Sequence, residues 1–406
     1  MCEMRRLVLS LIFFIWLLSL HASVSVPYTH GGPLAPDSSN FVTASMVIFT
    51  PGDNVYGSLG HCAMRMECPV HDLDYCFSLE TDVAVADYIK FFSGRARAAF
   101  FAVPTDEFMQ YYRDHGRGAV QYELNLTLHE KQELWRMLDD DMVAGAHRKF
   151  NFMENNCTSS LLLILEQAIL PARIQFVWPD WFGGINGESL RRTTKNKPWT
   201  MFWCVVFSGT EADAYWQKEN KVSPETLPLV LSSSSIVDDS GQSRPVFLSP
   251  RPLLREQAVP DGQTVTPLLL FGALLALLVL LTVLEWRLGG MWCQVCRWVD
   301  VVLFVLQSLA GVLLLYMTVV SGLFGVHWNW YLIPFNPVPL VMWLLFRHTP
   351  WYRKLFGLYA VVLVCFVLAT PLSSQLDVEH QLLSVALAVR CAAHCWFSRG
   401  SKPSHG

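Results

Sequence analysis

Residues Phe150–Pro171 read FNFMENNCTSSLLLILEQAILP. A polar pair, Asn155–Asn156, precedes an apolar run that Pro171 ends. This is the punctuation of a short buried helix with an asparagine at or near its N-cap. Cys157 then falls in the first turn. Backbone N–H groups without intrahelical partners and the positive end of the helix dipole favour a thiolate there. The same N–H groups can hold an oxyanion beside the sulfur. A thiol is mostly protonated at neutral pH, so nucleophilic chemistry also requires a base. Without one, Cys157 is a small buried hydrophobe.

The search for a base runs upstream. FVTASMVIFT (41–50) reads as a strand and Pro51–Asn54 as a turn. VYGSLGHCAMRM (55–66) reads as a second strand or strand-to-turn segment carrying His61, and DYCFSLETD (74–82) as a third strand. A helix over 105–115, a strand over 121–126 and a helix over 127–144 follow. The last opens on a capping box formed by Thr127 and Glu130. His61 is the best base, because Gly57 and Gly60 allow close backbone approach. His71, His115, His129 and His147 stand in more polar, helical or loop surroundings. Glu80 and Asp74, on the strand after His61, are the two candidates to orient its ring; either is otherwise a solvated carboxylate.

The ends of the chain decide where this chemistry happens. Hydrophobic residues make up 52% and charged residues 16%, too apolar for an ordinary soluble enzyme. The net charge is −4 and no basic patch stands out, which argues against nucleic-acid binding. Residues 1–25 carry Arg5 and Arg6, an apolar run and small residues, the pattern of a signal peptide or N-terminal anchor. Residues 26–225 form the exported domain, 226–264 a polar, turn-rich tether, and 265–398 a membrane domain of about five helices. The spans are expected at 265–284, 301–325, 331–346, 355–372 and 381–397. Arg287, Arg297, Arg347, Arg353, Lys354, Arg399 and Lys402 all fall in alternate loops and the C-terminus, whereas the loops around 327–331 and 373–380 carry no Lys or Arg. The basic loops are therefore inside and the large domain outside. Among eleven cysteines, Cys62, Cys68, Cys76 and Cys204 can make up to two disulfides in an oxidising compartment, which leaves Cys157 as the odd thiol.

Several of these pieces resemble one family: Gly60–His61 with Arg65, YIKFFSG (88–94), QYELNLT (121–127), ENNCTS (154–159) and NWYLIPFNPVPL (329–340). They look like the lipoprotein N-acyltransferases of Bacteroides-type bacteria, well over 40–170 and loosely over 265–400. The resemblance implies an α+β chain: a permuted papain-like exported domain, with histidine ahead of cysteine, followed by an all-α membrane domain. It implies Cys157 as nucleophile, His61 as base, and Asn156 directly before the thiol; of the two carboxylates on the strand after His61, Glu80 is taken as the third member. No cofactor is implied. The partners are a phospholipid acyl donor, a diacylated lipoprotein acceptor and the membrane itself. The location is the bacterial inner membrane, multi-pass, with the catalytic domain periplasmic. Arg65, His327, Asn329 and Arg390 are candidates for substrate binding; for the loop residues the alternative is an interfacial aromatic belt, and for Arg390 an ion pair or snorkelling. Cysteine next to the histidine, at Cys62, departs from the expected pattern. A membrane-tethered peptidase or amidase, a phospholipase and a non-enzymatic envelope protein are the rival readings.

Overall fold

The computed structural model describes residues 42–52, 57–81, 88–151, 155–179, 197–209, 222–257, 265–323, 325–369 and 378–397. The expected signal segment lies outside them. The chain divides into two units, one built from residues before 180 and from 222–258, the other from 180–221 and the residues from 259 onward.

The first unit is built on a seven-stranded antiparallel sheet. Its strands are β1 (Thr43–Phe49), β2 (His61–Cys68), β3 (Leu73–Thr81), β4 (Arg97–Pro104), β5 (Ala119–Leu124), β6 (Arg148–Lys149) and, after the short strands β7 (Arg173–Gln175), β8 (Ser235–Val237) and β9 (Ser243–Pro245), β10 (Phe247–Leu254). The order across the sheet is β10-β5-β1-β2-β3-β4-β6, and β7-β8-β9 form a second, three-stranded sheet. Three helices matter here: α1 (Thr105–Asp114), α2 (Leu128–Ala144) and α3 (Cys157–Ala168). β1 and β2 are buried on both faces, so neither alternates cleanly: β1 is mostly apolar, and β2 carries Arg65 and Glu67 among its apolar residues. Phe108, Met109 and Tyr112 of α1 pack on Val47, Phe49, Ala63, Cys76 and Val103. α3 packs against β2, β3 and α2. The capping box of α2 forms as its sequence requires: Glu130 N–H donates to Thr127 Oγ1 and Thr127 N–H to Glu130 Oε2, at 3.3 and 2.7 Å.

Two expectations need correcting. The stretch 226–264 contains β8, β9 and β10 of the first unit, where a tether was expected. Pro250 and Pro252 hid β10: a strand that pairs on one side only tolerates prolines that cannot donate to a ladder. The cysteines form no disulfide among the described residues. Cys62 and Cys68 stand six residues apart on one strand, about 20 Å, whereas bridged Cα atoms lie within about 7 Å. Cys76 pairs with Arg65 and so faces the other side of the sheet from Cys62, and Cys204 belongs to the second unit.

The second unit is helical: α4 (Pro198–Phe207), α5 (Pro267–Leu288), α6 (Met291–Val319), α7 (Val338–Phe346), α8 (Trp351–Ala369) and α9 (Val378–Phe397). α5, α6 and α8 are long and apolar enough to cross a membrane. α9 has the length but carries Glu379, His380, Arg390 and His394. α7 is only nine residues, about 14 Å at 1.5 Å per residue, short of the roughly 30 Å hydrocarbon layer. The rest of that third segment is irregular, and its backbone is satisfied by side chains. Gln307 donates to Pro334 O, Asn336 to Ile333 O, and the Tyr359 hydroxyl to Ile333 O, at 2.6, 2.6 and 2.9 Å. Irregular backbone at membrane depth requires such internal partners. Gly311 of α6 lets the segment come close: a Cβ there would stand 2.4 Å from Asn336 Cα.

Candidate active site

His61 is the first residue of β2. Gly60 precedes it at φ +86°, in the left-handed region that glycine alone enters freely, and an added Cβ would stand 2.9 Å from Phe49 O. The turn is closed by Gly60 N–H to Gly57 O at 3.0 Å. Phe49, Phe108 and Tyr112 surround the imidazole, with ring centroids 6.2 to 6.4 Å away. Its Nε2 lies 2.7 Å from Ser78 Oγ and 3.5 Å from Glu80 Oε1. Ser78 in turn donates to Glu80 Oε1 at 2.6 Å. Glu80 is therefore the carboxylate at the ring, with Ser78 wedged between them. The β2–β3 register, which sets Ala63 against Ser78, accounts for both, since alternation puts Ser78 and Glu80 on one face.

Cys157 opens α3. Asn156 is the N-cap: Ser159 N–H donates to its Oδ1 at 2.9 Å, and Asn156 N–H donates back to Ser159 Oγ at 3.0 Å. Asn156 thus fixes the helix start that presents the sulfur. His61 hydrogen-bonds Cys157, and the Cys62 backbone N–H donates to the same sulfur. Burial alone would push the histidine down and the thiol up. The opposed charges reverse both: His61 is raised to about 10, with Glu80 adding to the effect, and Cys157 is lowered. Burial would also raise Glu80, but the imidazolium, Ser78 and the Arg117 charge hold it below its ordinary value. Both shifts favour a thiolate–imidazolium pair, with the Glu80 carboxylate behind the ring. Burial and the neighbouring Cys157 charge drive the Cys62 thiol well up.

The remaining candidates are engaged elsewhere. Arg65 is buried, with Nε and Nη2 on Asp74 at 2.8 and 2.6 Å and Nη1 on Gln121 at 2.7 Å. Asp74 also accepts from Thr105, so it braces the sheet and does not orient His61. Asn329 is buried in the second unit, donating to Val206 O and accepting from Tyr331 N–H, both at 2.8 Å. His327 is half-buried, with its backbone against Gly209. Arg390 is held by Asp300 at 2.6 and 2.7 Å, Thr282 at 2.7 Å and Glu285 at 3.1 Å. Arg65, Asn329 and Arg390 spend donors on protein groups, and for Arg390 this is the ion pair that the sequence left open. Ser78 and Arg117 were not singled out from sequence. The two-residue spacing of Ser78 from Glu80 was the available signal for the first; nothing local marks the second.

Ser78→Ala is expected to lower kcat by about tenfold with KM little changed, the worth of one hydrogen bond to a charged network. It should also bring the alkaline limb of the pH profile down, because His61 loses part of what holds its proton. An unchanged limb would make Ser78 mere packing.

A sheet-rich domain that brings Cys157, His61 and Glu80 together is followed by a helical domain with three helices long and apolar enough to cross a membrane. Two family models match the chain: the Lnb N-terminal periplasmic domain over residues 36–180 and the Lnb transmembrane domain over 260–402. The chain belongs to the Lnb family, with the two-domain architecture of the Bacteroides-type lipoprotein N-acyltransferases and a role in lipoprotein N-acylation. No curated protein and no solved structure matches it.

Proposed function

We propose that the protein moves one acyl chain from a phospholipid to the α-amino group of the diacylglyceryl-cysteine that begins a lipoprotein, through a Cys157 thioester, at the periplasmic side of the inner membrane. The observation that carries this reading is the placing of Cys157 at the Asn156-capped start of α3 beside His61, whose ring lies against Ser78 and Glu80. The Cys157 thiolate attacks an ester carbonyl of the phospholipid. N–H groups of the first turn of α3 stabilise the oxyanion. The ester C–O bond breaks, His61 gives its proton to the departing alkoxide, and lysophospholipid leaves. The acceptor amine then attacks the thioester, His61 takes the amine proton, and the amide forms as the thiolate is restored. An amine attacks a thioester more readily than an ester, so the order of steps suits the chemistry. Both substrates are lipid-anchored, which gives a reason for a membrane domain that a soluble hydrolase would not need.

The test uses the full-length protein in proteoliposomes with phospholipid and a diacylated lipopeptide, read by mass spectrometry. The expected result is a peptide heavier by one acyl chain with its amine blocked, and lysophospholipid in equal amount. Free fatty acid without an acylated peptide would make the protein a phospholipase. A cleaved peptide would make it a peptidase.

A further inference from the structure

We infer that the second unit holds a binding site for the phosphate of a lipid headgroup, in a cavity at the end of the bundle where α5 stops and α6 begins. The cavity has a volume of about 650 Å³ and is lined by Glu285, Asp300, Arg390, Arg297, Arg347 and Trp343, among others. That volume suits a headgroup-sized ligand. Its charges divide into two sets. Glu285 and Asp300 carry two negative charges, one of them offset from behind by Arg390, which is 1% exposed and engaged with both carboxylates and with Thr282. Asp300 is also met by His394 at 2.9 Å.

Arg297 and Arg347 are different. Both line the cavity and both are exposed. Among the described residues neither makes a hydrogen bond or an ion pair; Arg347 only lies over Trp343, 5.3 Å from the ring centroid. Two guanidinium groups facing one cavity without a counter-charge repel each other, and an anion there relieves that repulsion. Guanidinium forks match phosphate oxygens in geometry as well as charge. Arg390, Arg297 and Arg347 together outnumber the two carboxylates of the cavity by one charge, so the lining stays net positive.

The side of the membrane names the source. α5 follows the periplasmic domain and crosses once, so its C-terminal end lies on the cytoplasmic side. Arg287, Arg297, Arg347, Arg353 and Lys354 all cluster at that end of the sequence pattern. Basic pockets between helices at this depth meet the phosphates of the inner leaflet. The site is distinct from the thiolate chemistry of the first unit.

The experiment is native mass spectrometry of the detergent-solubilised full-length protein, titrated with phosphatidylglycerol or with inorganic phosphate. Wild type is expected to retain phosphatidylglycerol, and the Arg297→Gln/Arg347→Gln variant to bind it roughly tenfold more weakly, about 1.4 kcal/mol. Arg287→Gln removes a cation at the same end, outside the cavity lining, and should bind as wild type. Should the double variant fail to fold, Arg297→Glu, one change on an exposed helix position, is expected to weaken binding at least as much. Displacement of the lipid by an equal concentration of inorganic phosphate would assign the site to a soluble phosphate compound. Equal binding by wild type and the cavity variants, or equal loss in Arg287→Gln, would overturn the proposal.

Discussion

Replacing Cys157 with alanine is expected to lower acyl transfer by on the order of 10⁴-fold or more, as loss of a covalent nucleophile does elsewhere. The change should leave the fold intact. The start of α3 is fixed by the reciprocal bonds between Asn156 and Ser159, not by the sulfur. The direct readout is the mass of the protein after incubation with phospholipid alone. Wild type should carry one hydroxylamine-labile acyl group, and the alanine variant none. A serine at this position separates nucleophile from leaving group. Its hydroxyl ionises far above a thiol, and an ester, once formed, resists the amine that a thioester would accept. Cys157→Ser is therefore expected to be severely slowed in both steps. An alanine variant that still acylated the lipopeptide at more than a tenth of the wild-type rate would remove the thioester from the mechanism.

Much of this site was legible before any coordinates. The helix start at Asn156–Cys157 was written in local chemistry: a capping residue, an apolar run, a terminal proline. His61 was legible because its glycines announce a tight approach, and Gly60 does take a positive φ against Phe49. The carboxylate was not. Glu80 and Asp74 are both on β3, and only the register against β2 puts one at the ring and the other at Arg65. Register is a long-range property that a single strand does not encode. β10 was missed for a related reason: its prolines read as loop, and what makes it a strand is its partner β5. In the second unit, Asn329 and Asn336 stood out as polar groups in an apolar stretch. Asn329 was read as a ligand for substrate, yet its amide joins Val206 O of α4 to the Tyr331 N–H, and the Asn336 amide serves the irregular backbone of the broken third segment. A polar residue in a membrane domain can answer to the backbone as readily as to a ligand.

His61→Asn carries the second large effect, and its pH dependence is more telling than its size. The expected loss is about 10³-fold in kcat/KM near neutral pH, within the range of a general acid–base group. In the wild type the competent form is the charged pair. Its acid limb follows protonation of the Cys157 thiolate, below the ordinary thiol value of 9.0, and its alkaline limb follows loss of the His61 proton near about 10. The profile is a broad bell. Without the imidazolium, the burial of Cys157 is opposed only by the weaker bonds from the Cys62 N–H and Thr158 and its thiol rises, so the variant should gain activity through the alkaline range where the wild type declines. The same two shifts fix the sign of the stability effect. His61 alone would contribute stability that is fully present below its ordinary 6.5 and lost as pH rises through about 10. Cys157 alone would contribute stability that is present above 9.0 and lost as pH falls through its lowered value. From whichever is higher, 6.5 or the lowered Cys157 value, up to 9.0 the two slopes cancel, because the folded pair and the unfolded groups each hold one proton in total. The pair's contribution should therefore be flat across that window and fall away on both sides. His61→Asn should remove the plateau together with the bell, and a variant that kept the wild-type activity profile would show that some other group supplies the proton.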